Sequence, residues 1–233
     1  MNKKETQLQQ QIAVLRTRLL IMCAAVGIAV NEACEALATG NMGRAAAVVD
    51  GDAEINGLEN EIDALALSIL ALNQPVAHDL RFVVAALRIV IDLERIGDEA
   101  VSIAERALIL RGILPLPVGE AVAPLRDAAR NLYLKAVDAF REEDAGIALQ
   151  MCRNDEETSQ LEVAALHRVM DYFCRELTDD STGERLYIGM HGILICRALN
   201  RICRRAANIA EQTYFIAQGL NIKHVPTAPQ PSA

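Results

Sequence analysis

Apolar side chains recur three and four positions apart along nearly all of this 233-residue chain. The run Leu8, Ile12, Leu15, Leu19, Met22, Val26, Val30, Ala33, Leu37 is the plainest instance, and it draws one stripe down one side of a helix. No segment alternates with the two-residue period of a strand. Breakers cut the helical pattern into lengths: Gly40-Asn41-Met42-Gly43 ends the first helix, Asn73-Gln74-Pro75 the second, and Gly112 to Pro117 the third. Each combines residues that accept a left-handed backbone, cap a helix, or cannot continue one. Further on, Glu143-Asp144 makes a corner and Thr178 to Gly183 another, with Ser181 and Glu184 at the spacing of a capping box. The expectation is an all-α chain of six up-and-down helices, each about 20 to 38 residues long.

The six helices fall into two homologous sets of three. Asn41 pairs with Asp144, Asp52 with Asp155 and Leu58 with Leu161, each 103 positions apart, and the third helices pair at 106. The change falls at the corner Thr178 to Gly183, where extra length costs little closure entropy. Residues 1–112 and 119–222 are therefore expected to be tandem three-helix bundles. The tail 223–233, with three prolines and no apolar periodicity, is expected to be mobile and dispensable.

A net charge of -8, 3% aromatic residues, no Trp and no long basic run argue against a nucleic-acid surface, which needs positive charge and stacking rings. An anionic membrane face is disfavoured for the same reason. The uncharged run Leu19 to Asn31 is short of the roughly 20 apolar residues that span a bilayer. The polar start MNKKETQLQQQ lacks a signal-peptide pattern, and a cytoplasmic protein without membrane insertion is expected. The six cysteines form no CxxC pair and read as small buried thiols.

The chemistry lies in the acids. On the third helix Asp98 and Glu105 fall within about 40° of Glu94, extending the apolar line Leu80, Val84, Leu87, Ile91. Asp92, Glu99, Arg81, Arg88, Arg95 and Arg106 cluster on the other side and read as a solvated charged face. On the second helix Asp52, Asn56, Glu59 and Asp63 share a face beside Val48, Ile55, Leu58, Ile62, Leu65 and Ile69. Two acidic rows facing each other repel and favour protonation unless a cation joins them, and their hard oxygens suit a divalent or ferric ion. No ExxH completes a di-iron pattern, and no nucleophile elbow, phosphate loop or dinucleotide fingerprint occurs.

The stretch Asp92 to Ala107, DLERIGDEAVSIAERA, preceded by LALNQPVAHDLRFVVAALRIVI, resembles the signature of the PhoU family of phosphate-signalling proteins, and the second half extends the likeness over nearly the whole chain. The resemblance implies two three-helix bundles, each carrying an E(D)xxxD metal motif. It implies a cytoplasmic regulator that binds the ATPase of a phosphate ABC transporter and a phosphate-sensing histidine kinase. Glu94-Arg95-Ile96-Gly97-Asp98 matches the motif fully, which makes Glu94 and Asp98 the expected ligands, with Asp52 across the interhelical groove. Iron, zinc or manganese would suit them. The competing reading is a metal-dependent enzyme or iron-binding helical bundle, for which the acidic cluster is the sole support.

The second half departs from the pattern. Asn200 and Arg204 stand where Glu and Asp are expected, Arg197 shares their face, and Asp155 is followed by Ser159 as Asp52 is by Asn56. Six acids line the first half (Asp52, Glu59, Asp63, Glu94, Asp98, Glu105) against Asp155, Glu162 and Glu211 in the second, so metal is expected in the first half only. Arg204 either neutralises Asp155, Glu162 or Glu211 in place of a cation, or is an ordinary solvated arginine. Ala24, Ala25, Ala29, Ala33 and Ala36 on the first helix permit close packing with a second copy, and a homodimer is expected.

Overall fold

The computed structural model describes residues 3–112, 118–153, 155–174 and 182–222. Its helices are α1 (Lys3–Thr39), α2 (Met42–Asn73), α3 (Ala77–Ile109), α4 (Val118–Ala121), α5 (Ala123–Glu142), α6 (Ala145–Cys152), α7 (Asp155–Cys174) and α8 (Thr182–Gln218). The described residues include no strand. α1, α2 and α3 pack on one another as the first bundle, and α5, the α6–α7 pair and α8 as the second.

The corners form as the punctuation requires. Gly40 takes φ +69° and returns its N–H to Ala36 O at 2.9 Å, closing α1. Asn41 then opens α2, its side-chain oxygen accepting from the N–H of Gly43 at 3.0 Å and of Arg44 at 3.3 Å. Asp144 opens α6 the same way, accepting from Gly146 and Ile147 at 2.7 and 3.0 Å. Both caps sit at φ -79°, ψ 101°, so the pairing of Asn41 with Asp144 holds at the level of backbone geometry. Gln74 and Glu143 take left-handed φ at the other corners. The corner holding Ser181, the side chain of Glu184, the linker 113–117 and the tail 223–233 lie outside the described residues.

One expected helix is divided. The second helix of the second half is α6, eight residues, then α7, twenty residues, with α6 closed by the Arg153 N–H on Gln150 O and Met151 O. The sequence after the break is Asp155-Glu156-Glu157-Thr158-Ser159. Acids are favoured in a helix's first turn by the dipole, and short polar side chains compete for backbone groups in a helix interior. A new N-terminus there is therefore cheaper than a continuous helix.

The two bundles share one continuous core. The first-helix stripe is buried as expected, with Leu15, Leu19, Met22, Val26 and Leu37 closed off against α2 and α3. α1 is long and apolar enough to cross a membrane by length and composition over Thr6–Thr39, although its uncharged run was expected to fall short. Part of that apolar surface, the stripe through Leu15, Leu19, Met22, Val26 and Leu37, is buried in this core. Among the described cysteines, Cys23, Cys34, Cys196 and Cys203 are buried thiols and Cys152 is partly exposed. Burial pushes the four buried thiols up to about 12.

The charged side of α3 is not a solvated face. α3 runs antiparallel to α8, and the residues expected in water instead join the halves. Asp92 accepts from Arg205 Nη1 and Asn208 Nδ2, both at 3.2 Å. Glu99 accepts from Arg201 at 2.5 and 2.7 Å, Arg88 donates to Gln212 at 3.2 Å, and Arg81 donates to Ile216 O at 3.3 Å. The side chains of Asp92 and Glu99 are only 13% exposed. Arg95 is exposed, as is Arg88 even with its bond to Gln212, and Arg106 is turned back on Ser102. A second seam joins α1 to α5: Arg130 bonds Glu35 at 2.9 Å and Asn31 at 2.5 Å. Beside it, the Tyr133 hydroxyl donates to Cys23 O at 2.6 Å. A Cβ at Gly27 would meet Tyr133 Cε1 at 3.2 Å, so a glycine there admits the ring.

Candidate metal centre

α2 buries Val48, Ile55, Leu58, Ile62 and Ile69, which leaves Asp52, Asn56, Glu59 and Asp63 half-buried along its edge. α3 meets that edge with Glu94, half-buried, and Asp98, exposed. Gly97 sets the approach. A Cβ there would lie 3.2 Å from Ile55 Cδ1 and 3.4 Å from its Cγ2, so the motif's glycine lets the helices close at the level of the acids. Sequence reasoning saw the glycine only as part of a motif. The signal available was its position one residue before Asp98, on the buried side of α3.

The apolar line expected to run through the acids is not the core. Leu80 and Ile91 are exposed, while the buried arc of α3 passes through Phe82, Val83, Ala86, Ile89, Val90, Leu93 and Ile96. α3 packs on α1, α2 and α8 at once, so its core-facing arc is wide and shifted from the stripe read off one helix. Glu94 and Asp98 stand at the rim of the α2–α3 contact, and Glu105 is exposed.

The rim is electrostatically crowded. Burial, then the charges of Asp98 and Glu59, raise the Glu94 carboxyl above its ordinary range, with Arg95 pulling the other way. Burial and the charges of Asp52 and Glu99 raise Asp98, offset in part by a hydrogen bond from Glu94 and by Arg205. Glu59 is raised by burial, Asp63 and Asp98. Asp52, Glu59, Asp63, Glu94 and Asp98 therefore act on one another across the two helices. Arg95 pulls Glu59 and Glu94 the other way, and Arg205 on α8 does the same for Asp98. Asp52 accepts from Asn56 Nδ2 at 2.9 Å. Among the described residues no three His, Cys, Asp or Glu side chains converge in a geometry that would hold a metal ion. The donor chemistry fits a hard cation, because the carboxylates are held at a cost that positive charge would relieve. The side-chain arrangement is not a preformed coordination sphere.

The equivalent place in the second half is closed differently. Asn200 Nδ2 donates to Glu162 Oε2 at 2.6 Å, so the amide that replaces the motif's glutamate bonds the acid opposite. Arg197 and Arg204 are exposed, and the side chain of Asp155 lies outside the described residues. Of the two readings of Arg204, its exposure favours the solvated one, and Asn200 is the residue that meets Glu162.

The family model described as the PhoU domain matches this chain twice, over residues 19–107 and 123–213. This chain belongs to the PhoU family. Each match covers one of the two bundles, so the PhoU domain is repeated in tandem as the internal pairing required. Curated relatives named phosphate-specific transport system accessory protein PhoU homolog include one from Pseudomonas putida, 34% identical over 94% of this chain and 84% of the relative. Another, from Pseudomonas aeruginosa, is 33% identical over 94% and 88%. The crystal structure of PhoU from Pseudomonas aeruginosa superposes with TM-score 0.84 at 31% identity, covering 91% of this chain and 99% of that one. The phosphate transport system regulatory protein PhoU from Streptococcus pneumoniae shares the fold, with TM-score 0.80 at 23% identity over 92% and 99%. In this PhoU chain the first domain copy carries the intact Glu94 to Asp98 motif, and the second carries Asn200 and Arg204 in its place.

Proposed function

We propose that this chain is a non-catalytic, cytoplasmic regulator of phosphate uptake and phosphate-starvation signalling. It acts by binding the ATPase of a phosphate ABC transporter and the phosphate-sensing histidine kinase. The observation that carries this is the pair of PhoU domains filling the chain, together with relatives whose names place them as accessories of phosphate-specific transport. Deleting the gene and reading a phosphate-starvation reporter in phosphate-rich medium tests it. The reporter should be derepressed, and the tagged chain should co-purify with the transporter's ATPase. A reporter that stays repressed and a chain recovered without the ATPase would overturn the reading.

Within this reading a divalent or ferric ion is held in the first domain only, by Glu94 and Asp98 with Asp52 across the groove. A bound cation would neutralise the repulsion along the rim. Metal analysis of the double variant Glu94→Ala, Asp98→Ala against Glu211→Ala checks the assignment: stoichiometry should fall in the former alone. The competing enzyme or iron-store reading rests on the same acids, and hydrolase and oxidase assays with and without iron or manganese separate it, since catalysis there would follow metal occupancy. The alanine argument for a homodimer is narrower than expected. Ala29, Ala33 and Ala36 are buried inside this chain and Ala25 is half-buried against its core, leaving Ala24 exposed, and light scattering at micromolar concentration reads self-association directly.

A further inference from the structure

α1 turns a second apolar row outward. Val14, Ile21 and Ile28 are 50%, 41% and 65% exposed, and their seven-residue spacing aligns them along the helix axis. Between this ridge and α2 lies a groove of about 420 Å³, lined by Ala24, Ala25, Ala47 and Gly51 over the buried Ala29, Val48 and Ile55. A separate depression on α1 is lined by Ala13, Val14, Thr17, Arg18 and Ile21. The residues lining the groove on α1 run from Ile21 to Glu32, a length of about 17 Å at 1.5 Å per residue, which matches about 12 residues of a docked helix.

The rim of the groove is acidic. Arg18 is matched by Glu61 at 3.6 Å and Arg44 by Glu32 at 2.6 Å. Glu54 lines the groove, with Asp50 exposed one turn before it, and neither has an ion-pair partner among the described residues. Carboxylates beside an apolar groove attract cations and repel an anionic lipid surface. A second copy laid ridge to ridge would bring the surplus acids of both copies together.

We propose that the α1–α2 groove docks an amphipathic helix of another protein, with an aliphatic ridge flanked by Lys or Arg. This deepens the regulator reading by giving the chemistry of a partner segment, and it rests on that reading only for the partner's place in signalling. The aliphatic ridge fills the space beside Ile21 and Ile28, and the cationic flank meets Asp50 and Glu54.

The full chain is titrated into a fluorescent synthetic 18-residue peptide with Leu at helical three-four spacing and Lys on both flanks, and anisotropy is read. Saturable one-to-one binding is expected, at least tenfold weaker for Ile28→Glu and for Asp50→Lys with Glu54→Lys. A Cβ at Gly51 meets nothing within 4 Å, so Gly51→Phe fills the groove without crowding the fold. It should melt no lower than the native chain yet bind at least tenfold more weakly. Equal binding by Gly51→Phe, or equal binding of a peptide with Glu on its flanks, overturns the proposal. Light scattering that shows a dimer abolished by Ile28→Glu assigns the groove to a second copy and also overturns it. Failure of the peptide while the transporter's ATPase still co-purifies rejects the groove alone. Loss of ATPase co-purification with peptide binding intact rejects the regulator reading alone.

Discussion

Removing one charge from the α2–α3 rim should make the metal-free protein more stable. Glu94 is half-buried and shares the rim with Asp98, Glu59 and Asp52, each of which raises its carboxyl. Two unit charges 4 Å apart interact by about 4 kcal/mol at an effective dielectric of 20, but the rim is partly open to water and Arg95 offsets some of the repulsion. Glu94→Gln keeps the shape and removes the charge, and we expect it to gain about 0.5 to 1.5 kcal/mol after solvent screening. For a chain of this size that is a melting temperature higher by about 1 to 5 °C. The pH dependence supplies the sign. The folded carboxyl is raised above its ordinary 4.5, so the folded state keeps a proton that the unfolded chain has released. The associated stability is present below the unfolded pKa and is lost as pH rises through the folded one. The advantage of Glu94→Gln should therefore be greatest at pH 7 and vanish as pH falls toward about 4.5. Thermal melts in excess chelator across pH 4.5 to 7.5 measure it. A variant less stable than the native chain at pH 7, or a gap that widens on acidification, would refute the claim that these carboxylates repel. Repeating the melts with manganese or iron should stabilise the native chain and leave the variant unmoved.

Three further outcomes are expected. Asp92→Ala leaves Arg205, itself 21% exposed, without its carboxylate at the seam between the halves. It should cost about 2 to 3 kcal/mol in denaturant unfolding, with a coupling above about 0.5 kcal/mol to Arg205→Ala in a double-mutant cycle. Asn41→Ala and Asp144→Ala each remove a helix cap and should each cost about 1 kcal/mol, additively because the caps belong to different halves. His191 is buried with neither ring nitrogen hydrogen-bonded, and its pKa is lowered by burial and by Arg106. The unfolded chain binds its proton first, so stability should fall as pH drops below about 6.5, and His191→Phe should remove that part of the slope in melts followed by circular dichroism.

The local structure was legible because helix ends are written in a few residues whose chemistry acts at short range. Gly40, Asn41, Gln74 and Asp144 close or open helices through their own backbone angles and side-chain oxygens, and the three-four period of α1 names its buried face without reference to any partner. The tandem repeat and the Glu94 to Asp98 motif are equally visible. What the neighbours do with a helix is not. Asp92 and Glu99 look like a solvated face on an isolated α3, because a period of 3.6 tells polar from apolar and does not tell water from a polar partner. Only the packing of α8 turned that face into the joint between the halves. The same packing widened the buried arc of α3 and left Leu80 and Ile91 outside, so the acids came to a rim and not into a core. The break between α6 and α7 was a balance between continuing a helix and starting one, too close to be settled by residue pattern alone. Asn200 reads as a lost ligand in the sequence. Only the fold, by setting Glu162 opposite it, made it a hydrogen-bond donor to that carboxylate.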